Sequence, residues 1–349
     1  MSRRRAEVTA RFSQFALASS DMAVKDAGLD LTLVPADRLT VAFGTSMSGL
    51  VDFGFGAHES FLGGQGIQPW IAREFPGQAA TTHVGSEVGA RGPTTTMASA
   101  CAAGLDAIAW AAERVCRGEA TAAIAGASET PLGPSTLEAF REFGLLATWA
   151  GDPASACRPF ELNRTGLVVS EGAAAVVLEE ERAARARGAH IYARVLGSGR
   201  SMEAPARRID LEGKAAAQSM TEALRAAGFT PRDVDYIAAH GNGIPDHDLA
   251  ETSALKLALG PQAWSVPVSS IRSMCGQAMA ASSAIQIVTG CLVIRDRQIP
   301  PTINFHERDP QCDLDYVPNK ARVARVRNVL VHVRSIGGTH ASMILGHPG

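Results

Sequence analysis

The chain reads as an α/β protein built on mixed or parallel sheets covered by helices on both faces. Short apolar runs of strand length alternate with segments of helical periodicity along the whole sequence. The strand-like runs are almost continuously apolar, as in Ala122–Ala127 (AAIAGA) and Ala173–Leu178 (AAAVVL), which a sheet buried on both sides requires. The rhythm of the first half recurs in the second, and the two meet near residues 188–191 with no low-complexity linker. The halves, 1–188 and 189–349, are therefore expected to pack as one body.

The elements follow in order. Residues 12–27 form an amphipathic helix with Phe15, Ala18, Met22 and Val24 on its apolar side and Gly28 as its stop. Leu39–Phe43 is a buried strand that runs into the glycine-rich GTSMSG. Residues 50–80 have weak periodicity and read as loop and short helices. Thr94–Ser99 is a strand leading into a helix over 101–117, where Leu105, Ile108, Ala112 and Val115 share a face. Strand Ala122–Ala127, helix 135–147, strand Ala173–Leu178 and a charged helix over 180–187 complete the half. The second half runs as strand Ile191–Leu196, helix 213–227 and strand Val234–Ala239, which ends on His240. Strand Pro267–Ser270, helix 280–294 and the strand pair Val329–Val333 and Ala341–Leu345 follow.

Composition excludes several classes of function. With 349 residues, 46% apolar and 19% charged, the chain is of ordinary globular make-up. A net charge of -2 and the lack of a basic tract argue against nucleic-acid binding, and the Arg3–Arg5 run reads as a solvated end. No apolar run approaches the ~18 residues of a membrane helix, and no signal-peptide pattern opens the chain. Cysteines 101, 116, 157, 275, 291 and 312 form no CxxC pair, which fits a reduced, cytoplasmic protein.

Four segments carry chemistry. Cys101 lies in MASACAAGLDAI, where a strand meets a helix. Unpaired N–H groups and the dipole of a helix start favour an anion, so a thiolate there is a usable nucleophile. Ala100, Ala102, Ala103 and Gly104 leave room for a substrate. A buried structural cysteine is the alternative at this point. His240 opens HGNGIPDHDLAE, with glycines on both sides of Asn242 holding an imidazole at a strand tip. Such a ring can donate a hydrogen bond to an oxyanion or move a proton, or simply cap a loop. Asp246, His247 and Asp248 read as a polar loop and helix start rather than a metal site. In SSIRSMCGQAMAASSA, Arg272 and Gln277 are the polar residues facing a turn, and the Gly337–Gly338 pair in RSIGGTHAS permits a turn whose N–H groups point at a ligand.

Taken together and in this order, the segments resemble the β-ketoacyl synthases of fatty-acid and polyketide synthesis, members of the thiolase superfamily. TTTMASACAAG is similar to the family's nucleophile segment, HGNGIP to its HGTGTP, and RPFELNRTGLVVSEG to its RPF…R-G…GEG stretch. PPTIN, CDLDYVP and GGT are also typical. The resemblance implies a thiolase-like fold, layered αβαβα with two similar halves and mixed sheets, in a homodimer or a heterodimer with another ketosynthase subunit. It implies that Cys101 takes an acyl chain from the phosphopantetheine of an acyl carrier protein, with no other bound cofactor. The N–H groups of Cys101 and Ile336 would form the oxyanion hole, and His240 would be the first of two catalytic histidines.

The departures cluster. The family's K-S-M-T-G-H reads R-S-M-C-G-Q, so Arg272 replaces Lys and Gln277 replaces the second histidine. Gln286 stands where a Glu pairs with that Lys, so the charge pair is expected to be lost at both ends. Asn242 and Ile244 replace threonines that hold the phosphopantetheine arm, Ile336 replaces an aromatic gate, and Thr165 replaces an Asp. Family members also carry roughly 60 residues ahead of the opening helix, so either the start is assigned too late or the first half lacks a strand. The expected function is carrier-dependent acyl transfer through Cys101, with condensation if Gln277 substitutes for the histidine. The alternatives are a priming or editing acyltransferase, or a chain-length-factor-like partner subunit.

Overall fold

The computed structural model describes residues 6–51, 54–203 and 209–349, and the Arg3–Arg5 run lies outside them. The chain divides into two compact units. The first is built from Met1–Leu137, Ser170–His190 and Ala278–Ile285, the second from Glu138–Val169, Ile191–Gln277 and Gln286–Gly349.

The first unit holds a sheet in the order β2-β1-β3-β4: β1 (Leu39–Gly44), β2 (Thr94–Met97), β3 (Ala122–Glu129) and β4 (Gly172–Glu179). β1 pairs in parallel with β2 and β3, and β4 runs antiparallel to β3. Every residue of β1 and β3 is buried, as their continuous apolar runs require. Helix α1 (Arg11–Ala27) buries Phe12, Ser13, Ala16 and Ser20; of the expected face Val24 packs against the same core, whereas Met22 is exposed. Phe12 and Ala16 join Val41, Phe43, Val84 and Ile124 in one cluster, where the small residues of the buried face suit close helix–sheet packing. Helix Ala79–Val88, absent from the sequence reading, packs Ala79 and Ala80 into the same cluster.

The second unit holds a five-stranded sheet in the order β5-β11-β10-β6-β7. Its strands are β5 (Arg194–Met202), β6 (Tyr236–Ala238), β7 (Val268–Ser269), β10 (Asn328–Arg334) and β11 (Thr339–Gly346). β6 runs parallel to β7 and β10, while β10–β11 and β11–β5 are antiparallel. β5 begins three residues later than expected, at Arg194 rather than Ile191. Its Gly197 and Gly199 let helix Lys214–Ala227 lie against it: a Cβ on Gly199 would sit 2.2 Å from the Ser219 carbonyl oxygen. A separate two-stranded ribbon pairs β8 (Gln298–Ile299) with β9 (Arg322–Val323). Helix Pro134–Glu142 stops five residues short of its expected end, because Gly144 turns the chain at φ 72° and the Leu145 N–H closes onto the Phe140 carbonyl.

Strand directions match between the sheets. The run β4-β3-β1-β2 has the same sense as β11-β10-β6-β7, so β5 is the strand without a counterpart. Among the described residues, β2 and β4 are the edges of the first sheet.

Candidate active site

Cys101 follows β2 on a strained turn. Ala100 adopts φ 50°, a left-handed conformation that costs a side-chain-bearing residue energy and recurs at functional sites. A single 3-10 turn over Ala100–Ala102 then leads into helix Ala103–Cys116, so the helix starts two residues after the cysteine rather than on it. The junction is tightly packed. A Cβ on Gly44 would lie 2.3 Å from the Ala103 carbonyl carbon, and one on Gly104 would lie 2.8 Å from the Ala280 carbonyl oxygen. The Ser283 hydroxyl accepts the Leu105 N–H at 3.1 Å, filling one of the orphan donors of the helix start, and Ser99 donates to Asp106. Cys101 itself is 3% exposed. Burial pushes the thiols of Cys157, Cys291 and Cys312 up to about 12, and raises Cys275 as well. Cys116 is exposed.

His240 lies just beyond β6 on a loop held from below by helix Pro245–Leu259. Glu251 accepts the N–H groups of His240 (2.7 Å) and Gly241 (2.8 Å). Asp248, one turn earlier, accepts those of Asn242 (3.0 Å), Gly243 (3.3 Å) and Phe160 (2.8 Å). Burial pushes Asp248 up to about 7 against Arg164 and these donors. Burial also raises Glu251, but the His332 hydrogen bond and the two loop amides outweigh it and hold the carboxyl below its usual range. Gly241 is required where it stands, since a Cβ there would meet the Phe160 ring at 2.5 Å. Burial, then the Arg272 charge, holds the His240 imidazole well below its ordinary value, so the ring is neutral.

Arg272 is among the largest fully buried side chains. Its guanidinium donates to Oε1 of Gln277, to Oε1 of Gln286 at 2.7 Å and to the carbonyls of Ala239 and His240. Gln286 in turn donates to the carbonyls of Ala238, Ala239 and His332. The expectation that the charge pair vanishes at both ends needs correction. The cation persists as Arg272, and a hydrogen bond to Gln286 replaces the ion pair. Because Arg272 occupies the Gln277 carbonyl oxygen, the NH2 end of Gln277 points elsewhere as a donor.

Ile336 lies on the hairpin between β10 and β11 and is 40% exposed. The turn closes through Ser335 N–H to the Thr339 carbonyl (2.8 Å) and Gly338 N–H to the Ser335 carbonyl (3.1 Å), with Gly337 and Gly338 at φ 98° and 86°. Ile244 is buried against Leu145 and Leu167. In the second unit the structure thus brings together His240, Asn242, Arg272 and Gln277 through shared hydrogen bonds, while Cys101 belongs to the first.

Sequence reasoning missed the groups that support the loop. Asp248 and Glu251 sit three apart on a helix opened by Pro245, a spacing that puts two carboxylates on one face. It also missed a buried polar chain at the base of the hairpin. Glu251 meets His332 Nδ1 (2.6 Å), His332 stacks on His340, and Glu203 meets His340 Nε2 (3.0 Å) and Arg334.

Two family profiles cover most of the chain: the N-terminal domain of β-ketoacyl synthase over residues 1–184 and its C-terminal domain over 192–306. The chain belongs to the β-ketoacyl synthase family. This synthase is 37% identical to the tetracenomycin polyketide synthase ketoacyl synthase alpha subunit of Streptomyces glaucescens, across 100% of its own length and 84% of the relative's. It is 36% identical to a 3-oxoacyl-[acyl-carrier-protein] synthase 2 of Staphylococcus aureus, across 96% and 83%. Among solved structures it superposes on the ketosynthase of a type II polyketide acyl-carrier-protein complex with a TM-score of 0.91 and 34% identity, covering 97% of this chain and 85% of that one. On the ishigamide ketosynthase/chain length factor the TM-score is 0.90 with 31% identity, covering 98% and 83%. The thiolase-like fold implied by the motifs is therefore that of the synthase. No described helix is long and apolar enough to cross a membrane.

Proposed function

We propose that this chain is a β-ketoacyl-[acyl carrier protein] synthase-type acyltransferase of polyketide or fatty-acid synthesis, working through a thioester on Cys101. The observation that carries the reading is Cys101's place on a strained turn between β2 and the start of a helix. The acyl group arrives on the phosphopantetheine of an acyl carrier protein. The thiol attacks the thioester carbonyl, a C–S bond forms at Cys101, and the carrier leaves as its thiol. Backbone N–H groups, that of Cys101 among them, hold the oxyanion, and His240 with Gln277 donates to the malonyl thioester oxygen when CO2 is lost. A dimer, with itself or with a second ketosynthase subunit, and a cytoplasmic location complete the proposal.

Gln277 favours a second reading, a chain-length-factor-like or priming subunit, because an amide donates without carrying a proton. Incubation with an acyl-carrier thioester, followed by peptide mass spectrometry, separates the two. Acylation at Cys101 is expected, and its absence would overturn the enzymatic reading. A carrier thioester serves better than a small alkylating reagent, since Cys116 is exposed to the latter.

A further inference from the structure

The base of the hairpin between β10 and β11 buries a row of ionisable groups with no part in acyl transfer itself. Glu251, His332, His340 and Glu203 follow one another in it, each no more than 7% exposed. We propose that His332 and His340 together hold three ring protons, one more than two neutral imidazoles carry, and that His332 is a positioning residue which, as an imidazolium, braces Glu251 beneath the His240 loop. The proposal rests on the acyl-transfer reading only for the importance of His240.

Three contacts in a row fix the number of protons. Glu251 Oε1 lies 2.6 Å from His332 Nδ1, His332 Nε2 lies 3.4 Å from His340 Nδ1, and His340 Nε2 lies 3.0 Å from Glu203 Oε1. Both carboxyls at the ends are acceptors. Glu251 takes the N–H groups of His240 and Gly241, and Glu203 takes both terminal nitrogens of Arg334. Burial raises each carboxyl, yet its hydrogen bonds hold it below its ordinary range. Each end of the row therefore needs an N–H on the ring that faces it. Two neutral rings that met this demand would turn bare lone pairs toward each other in the middle, where almost no solvent reaches. A third proton there gives every ring nitrogen a partner. Charge balance asks for the same proton, since the row sets two carboxylates against the single guanidinium of Arg334. Among the described residues its neighbours supply no other cation. Burial lowers His240 and His247, Arg272 is bonded to Gln277, Gln286 and two carbonyls, and Arg164 lies 3.5 Å from Asp248. The extra proton rests on His332, because burial and then the His332 charge lower His340. The Nδ1–H of that cation gives Glu251 a charge-assisted bond on the same oxygen that accepts the His240 amide.

Ring nitrogen-15 spectra of the intact protein at neutral pH test the count, with the two rings assigned by their losses in His332→Asn and His340→Asn. Both nitrogens of His332 are expected to be protonated, and His340 to carry one proton on Nε2 and a bare Nδ1. His340→Leu removes the acceptor of the third proton. His332 should then become neutral, and the amides of His240 and Gly241 should exchange with deuterium on the order of tenfold faster as the support beneath them weakens. His332→Asn should quicken the same two amides and guards against misfolding of the leucine variant. His340→Asn keeps a side-chain oxygen as acceptor, so His332 should stay doubly protonated and the loop amides should exchange near the native rate. A neutral His332 in the native protein would overturn the proposal, and unchanged loop exchange in either His340→Leu or His332→Asn would overturn the bracing role. None of these measurements needs turnover, so a chain that fails to acylate Cys101 would count against the functional reading alone.

Discussion

At the scale of single residues, Arg272, Gln277, Gln286 and Asn242, four of the side chains that replace the family's usual groups, are tied into one hydrogen-bonded system around His240. Gln277 keeps a donor at the position of the missing histidine only because Arg272 holds its oxygen. Restoring the imidazole, Gln277→His, would give Arg272 a ring nitrogen to donate to and leave the other nitrogen as an N–H donor beside a cation, hence neutral. Malonyl-carrier decarboxylation is expected to rise at least tenfold, with the rate of Cys101 acylation from an acyl-carrier thioester little changed; a rate that stays flat or drops would show that the amide already suffices. The sequence disclosed Cys101 and His240 because their neighbours are small residues at a strand end, a local signal. Gln286 as the partner of Arg272 was legible through the resemblance, but the bonds to the Ala239 and His240 carbonyls, 33 and 32 positions away, were not, because only the fold assembles them.

At the scale of elements, helix Pro245–Leu259 is the platform of the site. Only its start was legible, since an apolar face is diluted by the buried His247, Asp248, Glu251 and Thr252. Asp248 and Glu251 face inward because the loop above them offers backbone N–H groups that need acceptors. Glu251→Gln tests this. One amide hydrogen would then confront a backbone N–H of His240 or Gly241, leaving a buried donor unsatisfied at a cost of about 1–3 kcal/mol. Chemical denaturation should register that loss with an unchanged m-value; an unaffected midpoint would mean that water supports the loop instead. The helix after Cys101 was foreseen nearly to its ends, and the two-residue error at its start has a physical source. A left-handed Ala100 is invisible in a residue type that normally avoids that conformation.

At the scale of the whole molecule, the alternating strands and helices and the repeat of the first half in the second were legible because every buried strand advertises itself as an apolar run. The boundaries of the compact units were not. Residues 138–169 belong with the second unit and 278–285 with the first, an exchange that depends on contacts between distant segments and leaves no mark in composition. The repeat also has a remainder, β5: among the described residues β4 pairs with β3 alone, so every second N–H and C=O of Gly172–Glu179 faces away from its partner strand. Such a row behaves like the growing end of a sheet. Hydrogen–deuterium exchange should therefore run faster across 172–179 than across 339–346, where β11 is paired on both sides. Equal protection that weakens on dilution would mean that copies of the chain have already found each other along this edge, trading a folding problem for a concentration-dependent one.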